Sequence, residues 1–389
     1  MAIPPEARLR PSGLNSAFSG GRLAFTEYVA RSRDMLTRAH AGAADLQKIV
    51  DGNAPFELKP PPGFPSGQQK TCKRGVLLTH GLTGSPYSMR HLAAFFQQNG
   101  FRVMAVLLPG HGTQPGDLLD VTWQEWAKTV AYGAYKLAEE VDEVYLAGYS
   151  IGGALSIYHS LRDNKVRGLF LFSPALKITP KAAWANLHKL YNRLMPSAKW
   201  VDIKADLDIY KYESLAKNAA AQTYALTRAV HDQLRLHHLD VPAFIVASAD
   251  DVTVDTPVIL KLMEHARHPL SKLVLYTTTP EKFPHGIPVE KVELVNSAVP
   301  GQRILSSAHT AVVMSPEDEH YGIAGEYSNC IHYYPDDMEK YVACLKNPAT
   351  VLQGEITEKN LATGILRRLM YNPKFAELKV SMKGFIDKL

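Results

Sequence analysis

Ser150 sits at the centre of Gly148-Tyr149-Ser150-Ile151-Gly152, and a serine framed in this way is a candidate nucleophile. The run around it, residues 142–155, opens apolar like a buried strand and continues past Gly152 with helical spacing. A strand that turns so sharply into a helix needs glycine on both sides of the apex, where a Cβ would collide. The serine is then held out at the strand's end. The helix start behind it offers backbone N–H groups and a positive dipole end to a developing oxyanion. A serine hydroxyl is a weak nucleophile by itself, so the chain must also supply a base within reach and an acid to orient that base.

Those partners have candidates. Residues 240–254 read as a buried strand that ends in the double aspartate Asp250-Asp251. Beyond it, a helix is expected over residues 257–267 and strands over 272–277, 291–297 and 302–307. Two histidines compete for the base. His285 follows Phe283-Pro284, while His309 comes directly after the apolar run at 303–305.

The elements that would position this chemistry alternate. Residues 74–79 form an apolar strand that runs into His80-Gly81 and a small-residue loop, after which Ser85 and Pro86 open a helix as N-cap and first turn. That helix stops at Asn99-Gly100, and residues 101–108 form the next strand, followed by Pro109-Gly110-His111-Gly112. An amphipathic helix from Trp123 then leads to the strand before Ser150. Strands alternating with helices at this spacing predict a mostly parallel sheet covered on both faces.

The succession HGLTGSP, LLPGHGTQPGDL, VTWQEW and GYSIGGAL resembles the α/β-hydrolase fold and, within it, the carboxylesterase and monoacylglycerol-lipase group. The resemblance is close over residues 75–176 and looser beyond. It implies an oxyanion hole made of the Leu82 and Ile151 backbone N–H groups. It makes His80, Gly81, Gly148 and Gly152 supporting residues, with His80 a structural histidine that hydrogen-bonds its loop. By the family's register Asp251 is the triad acid and Asp250 its neighbour, although Ser248 stands where the family usually has glycine. His309 is preferred to His285, because a strand leading into Ser-x-His matches the family's histidine loop. The long interval from Asp251 to His309 then requires an insertion.

The expected organisation is an N-terminal helical arm and proline-rich connector (1–70), the first part of the hydrolase core (71–176), a small helical cap (177–230), the second part of the core (231–315) and a C-terminal helical extension (316–389). Within the arm, helices are expected over 23–48 and an edge strand at Phe56 and Leu58. In the cap, Trp184, Leu187, Leu190, Tyr191, Leu194, Met195 and Trp200 recur at near-helical spacing. In the extension, helices are expected over 338–345 and from 358 onward.

With 46% hydrophobic residues the chain can bury a large core, and a net charge of +5 from 43 basic and 38 acidic residues leaves no nucleic-acid footprint. The N-terminus lacks an apolar segment of signal-peptide length, and no run is long enough for a membrane span. The 3 cysteines lack metal spacing, which favours a reducing compartment and a cytoplasmic protein without stable membrane insertion. No metal or cofactor is required by this chemistry. The expected activity is hydrolysis of a small-molecule carboxylic ester through an acyl-enzyme. The alternatives are acyl transfer or amide and peptide cleavage on the same residues, or a hydrolase-like binding protein without turnover.

Overall fold

The computed structural model of this 389-residue chain describes residues 5–64, 70, 72–177, 199–346 and 350–389. The chain forms two compact units, Met1–Gly168 with Lys177–His237, and Leu169–Leu176 with His238–Leu389.

In the first unit, β1 (Phe56–Leu58), β2 (Cys72–Thr79), β3 (Phe101–Val106) and β4 (Val141–Tyr149) lie in the order β1-β3-β2-β4. β2 pairs parallel with both β3 and β4, and β1 runs antiparallel along β3. Every residue of β3 is buried, and apart from Arg102, whose guanidinium pairs with Glu57 and Glu140, it is apolar throughout: a parallel strand covered on both faces has no solvent side to alternate with. The helix Trp123–Glu140 packs on β2, β3 and β4.

The N-terminal arm holds helices Phe25–Ala39 and Leu46–Asn53 and ties down the loop after β3. The Tyr28 hydroxyl donates to Leu107 O at 3.0 Å, and Asn15 Nδ2 donates to His111 O at 2.8 Å. His40 meets Gly112 O through a ring nitrogen at 2.8 Å. Gly116 must be glycine here, because a Cβ would lie 2.0 Å from Arg10 O where the arm crosses it.

Ser85 stands at the N-cap with Pro86 in the first turn, as expected, but its side chain makes no cap hydrogen bond and the first turn, Pro86–Met89, is 3-10 before the helix Arg90–Gln98. The expected cap run from Trp184 to Met195 lies outside the described residues, while Trp200 is buried in a short ribbon of β6 (Trp200–Asp202) and β7 (Leu215–Ala216). The helix Lys217–Leu236 follows.

In the second unit, β5 (Val166–Phe172, entering this unit at Leu169), β8 (Ala243–Ser248), β9 (Lys272–Thr277) and β10 (Val292–Asn296) are parallel throughout, in that order. The helix Thr256–His265 is capped by Asp255, whose side chain accepts from the Val258 N–H.

Two expectations fail in this unit. Residues 302–307 do not form a sheet strand. The turn Pro300–Gln302 and the left-handed Arg303 (φ 58°) fold the chain back, and only Ile304 bridges, to Val299 and Gln353. Nor does one helix run from 358 to the C-terminus. The short helix Glu358–Leu361 is capped by Thr357 and followed by Gly364 at φ 139°. The chain then pairs β12 (Leu366–Arg368) parallel with β11 (Leu352–Gly354) before the helix Phe375–Ile386.

Cys330 and Cys344 form a disulfide within a cluster that includes Tyr333, Tyr341 and Val351, leaving Cys72 free. The sequence, read as favouring a reducing compartment, does not anticipate this bridge. Among the described residues no helix is long and apolar enough to cross a membrane.

Candidate active site

In the first unit, β4 ends at Tyr149 and the helix Ile151–Ser160 begins directly after Ser150. Ser150 itself takes φ 55° and ψ −116°, a conformation that non-glycine residues rarely hold and that the surroundings must enforce. The enforcement is steric closeness. A Cβ on Gly148 would lie 2.2 Å from the Gly152 carbonyl, and one on Gly152 would lie 2.1 Å from Thr79 O at the end of β2. Only glycine at both positions lets the turn close against the neighbouring strand.

The loop after β2 runs beside the turn, and a Cβ on Gly81 would be 3.3 Å from that of Ser150. Leu82 follows Gly81 in this loop, and Ile151 is the first residue of the helix, where the N–H groups have no intrahelical acceptor. His80 is fully buried. The Leu108 N–H donates to its Nε2 at 3.1 Å, so Nδ1 carries the proton and donates to Gly81 O at 2.9 Å. Burial, with His111 beside it, holds His80 well below the ordinary imidazole range, and burial pushes His111 down to about 4. Both rings are neutral spacers at physiological pH.

In the second unit, β8 leads into the aspartate pair, and the two carboxylates face different partners. Asp251 Oδ2 lies 2.6 Å from His309 Nδ1, with no exposure of the Asp251 side chain and 6% of that of His309. Asp251 Oδ1 accepts from the Thr253 N–H at 2.8 Å and the Val254 N–H at 3.0 Å. Burial alone would raise its pKa; the charge and hydrogen bond of His309, with the two amides, outweigh burial and bring it below the usual carboxylate value. An imidazole whose Nδ1–H is held by a carboxylate has Nε2 left to take and return a proton.

Asp250 turns elsewhere, accepting from Ser297 Oγ at 3.1 Å and Thr278 Oγ1 at 3.4 Å, and burial raises its pKa. Ser248, standing where the related turn has glycine, is buried and built into it: its carbonyl accepts from the Asp251 N–H and from Thr256 Oγ1. His285 is exposed, next to the left-handed Gly286. His309 lies in a 3-10 turn, His309–Ala311, and its own N–H donates to Glu355 Oε2 at 2.9 Å.

A pH prediction follows from Asp251. Its folded pKa is depressed, so it stabilises the fold above its unfolded pKa, and that contribution is lost as pH falls through the folded value. In thermal melts from pH 6 down to pH 3, Asp251→Asn is expected to flatten the fall of Tm relative to wild type. Equal slopes for the two proteins would contradict the pairing.

Sequence reasoning missed residues that carry no local signal. Tyr212 is one: its N–H donates to Thr83 O at 2.9 Å, and its hydroxyl accepts from the Thr113 N–H at 2.8 Å, so it ties together the loops after β2 and β3. Burial raises its pKa beyond any physiological pH. Glu355 and Arg368 are two more. They lie 13 residues apart in the extension, and the β11–β12 pairing brings them together. Among the described residues no group of three or more His, Cys, Asp or Glu could hold a metal ion.

Residues 70–291 match the Hydrolase_4 family, described as Serine aminopeptidase, S33. The thermostable monoacylglycerol lipase of Bacillus sp. (strain H-257) is 30% identical over 184 residues, covering 46% of this chain and 71% of that enzyme. The carboxylesterase of Bacillus subtilis (strain 168) is 32% identical over 85 residues, covering 22% of this chain and 35% of that one. A solved structure from work on LipS and LipT, two metagenome-derived lipolytic enzymes, aligns at 24% identity with a TM-score of 0.48, covering 58% of this chain and 87% of its own.

Proposed function

Because this chain belongs to the Hydrolase_4 family, of the serine aminopeptidase S33 type, we propose that it cleaves carboxylic esters through an acyl-enzyme on Ser150. Its fold is the α/β-hydrolase fold, with a mostly parallel central sheet along which β1 runs antiparallel. Ser150 attacks the ester carbonyl, and His309 Nε2 takes the hydroxyl proton and returns it to the leaving alcohol. Asp251 holds the imidazole in the required tautomer and stabilises the imidazolium that forms. The Leu82 and Ile151 amides receive the oxyanion, an interaction worth a few kcal/mol per donor. Water activated by the same histidine then releases the acid.

The observation that carries this reading is the 2.6 Å contact between His309 Nδ1 and Asp251 Oδ2, which supplies an oriented base in a chain that also holds a serine on a strained strand-to-helix turn. The relatives named as a monoacylglycerol lipase and a carboxylesterase support an ester substrate. A small to medium acyl chain is the substrate proposed.

The test is a panel of p-nitrophenyl esters from acetate to palmitate. The family's description names a peptidase, so aminoacyl p-nitroanilides belong in the same panel. Turnover of the shorter esters, at least about a hundredfold faster than of any anilide, is expected; a difference of that size is about 2.7 kcal/mol in transition-state stabilisation. Anilide turnover at or above the ester rate would replace the esterase reading with an amidase or peptidase one.

A further inference from the structure

The C-terminal extension lies beyond the residues that match the family, yet it reaches the loop of His309. β11 runs alongside residues 303–305: the Leu305 N–H donates to Gln353 O at 2.8 Å, and the Gln353 N–H donates to Arg303 O at 2.9 Å. Directly after β11 comes Glu355, with a fully buried side chain whose Oε2 accepts the His309 N–H. β12 brings Arg368 to the same carboxylate, with Nη2 donating to Oε2 at 3.2 Å and Nε 2.9 Å from Oε1. Arg368 Nη2 also donates to Thr253 Oγ1 at 2.7 Å. The Thr253 N–H is one of the two amides that hold Asp251 Oδ1. A single carboxylate–guanidinium pair therefore joins the His309 loop to the Asp251 turn.

The surroundings brace that pair. The Glu355 N–H donates to Ser306 Oγ at 3.1 Å, and Asn360 Nδ2 donates both to Ser306 Oγ at 3.0 Å and to Glu355 O at 2.9 Å. Thr310 Oγ1 donates to Leu369 O at 2.7 Å, so the residue after His309 is fastened to the extension as well. Burying a carboxylate is unfavourable unless it is paired and hydrogen-bonded, and breaking one partner of such a pair leaves a bare charge in the interior. A hydrophobic residue at position 355 would pack without that liability but would leave the His309 N–H without its acceptor.

We propose that Glu355 and Arg368 are positioning residues for the hydrolytic site: they fix His309 against Asp251, and they do so as a pair without net charge. This rests on the reading of His309 as the general base. Among the described residues, contacts bring these charged groups to the His309 loop: Asp251 at the ring, Glu355 at the His309 N–H and Arg368 through Glu355, while Lys359 and Glu355 act on the neighbouring Asp250. Glu355→Gln keeps an acceptor for the His309 N–H but leaves the Arg368 cation uncompensated, which disfavours the imidazolium. Arg368→Gln leaves the Glu355 anion uncompensated, which favours it.

The experiment is the pH profile of kcat/KM for a p-nitrophenyl ester in wild type, Glu355→Gln, Arg368→Gln and Arg368→Lys. The acidic limb is expected to move down by roughly one pH unit in Glu355→Gln and up by about as much in Arg368→Gln, and to stay in place in Arg368→Lys, which keeps the charge. In the two glutamine variants kcat should fall by about ten- to a hundredfold with KM within about twofold, as misplacement of a catalytic group predicts. A purely structural role would lower the yield of folded enzyme and leave the limb where it is. Limbs that stay still, or that move the same way in both glutamine variants, would overturn the proposal. If Glu355→Gln does not fold, the contrast between Arg368→Gln and Arg368→Lys decides alone. If the wild type turns over none of the substrates, the esterase reading fails separately. The pair is then tested by NMR titration of His309 in histidine-labelled protein, where the same opposite shifts are expected and unmoved titrations would refute it.

Discussion

Ser150→Ala is expected to lower kcat/KM for a p-nitrophenyl ester by about 10⁵- to 10⁶-fold while the protein keeps its fold. The large loss arises because the remaining groups have nothing to activate: His309 can accept a proton only from a nucleophile, and oxyanion donors alone leave a small residual rate. The fold should survive because alanine at φ 55° meets the same backbone constraint that serine already meets there. The conformation is imposed by the glycines at 148 and 152 packing against each other and against Thr79, and the serine hydroxyl has no part in that contact. Melting temperatures within about 1 °C of each other are expected, a ΔΔG below about 1 kcal/mol at this chain length. A variant that keeps more than about a tenth of the activity would remove Ser150 from the mechanism.

His309→Ala is expected to cost nearly as much, about 10⁵-fold, since nucleophile and base fail as a unit. His285→Ala should stay within about twofold of wild type, because His285 is exposed, next to the left-handed Gly286. Asp251→Asn should fall between them, about 10⁴-fold, because an amide can keep the geometry while favouring the wrong imidazole tautomer. The histidine change has a structural consequence too. It strips the buried Asp251 carboxylate of the partner 2.6 Å away, leaving it the Thr253 and Val254 amides among the described residues. His309→Gln, which can still donate, is therefore the better control for stability, with activity equally low. Activity lost in His285→Ala and kept in His309→Ala would exchange the two residues in the proposed mechanism and leave Ser150 in place.

Much of the fold was legible because its signals are local. β3 and β8 are buried at every residue and, apart from Arg102 and Ser248, appear in the sequence as apolar runs. The turn at Ser150 could be read because its requirement, two glycines flanking an apex, is a matter of a few ångströms of backbone. The apolar run before His309 misled for the opposite reason. Its side chains suit a strand, but the left-handed Arg303 and the partner strand β11, about 50 residues away, decide its conformation. The tail misled in the same way, since Leu366–Arg368 has helix-compatible residues that the β11 pairing overrides.

Site residues divide along the same line. The choice between Asp250 and Asp251 rested on register, and the structure distinguishes them by what each carboxylate faces: Ser297 and Thr278 for one, His309 for the other. Tyr212, Glu355 and Arg368 had no signal at all, because each acts through partners far away in the chain. The cystine was missed because three cysteines without a spacing pattern do not reveal which two will meet.

The central claim is that Ser150 is the nucleophile that carries the acyl group. Incubation with a fluorophosphonate, followed by peptide mass spectrometry, tests it most directly. Stoichiometric modification of the peptide containing Ser150 is predicted in wild type, absent in Ser150→Ala and slowed by several orders of magnitude in His309→Gln. Modification of a different serine in folded, ester-hydrolysing wild type, or undiminished labelling of Ser150→Ala, would contradict it.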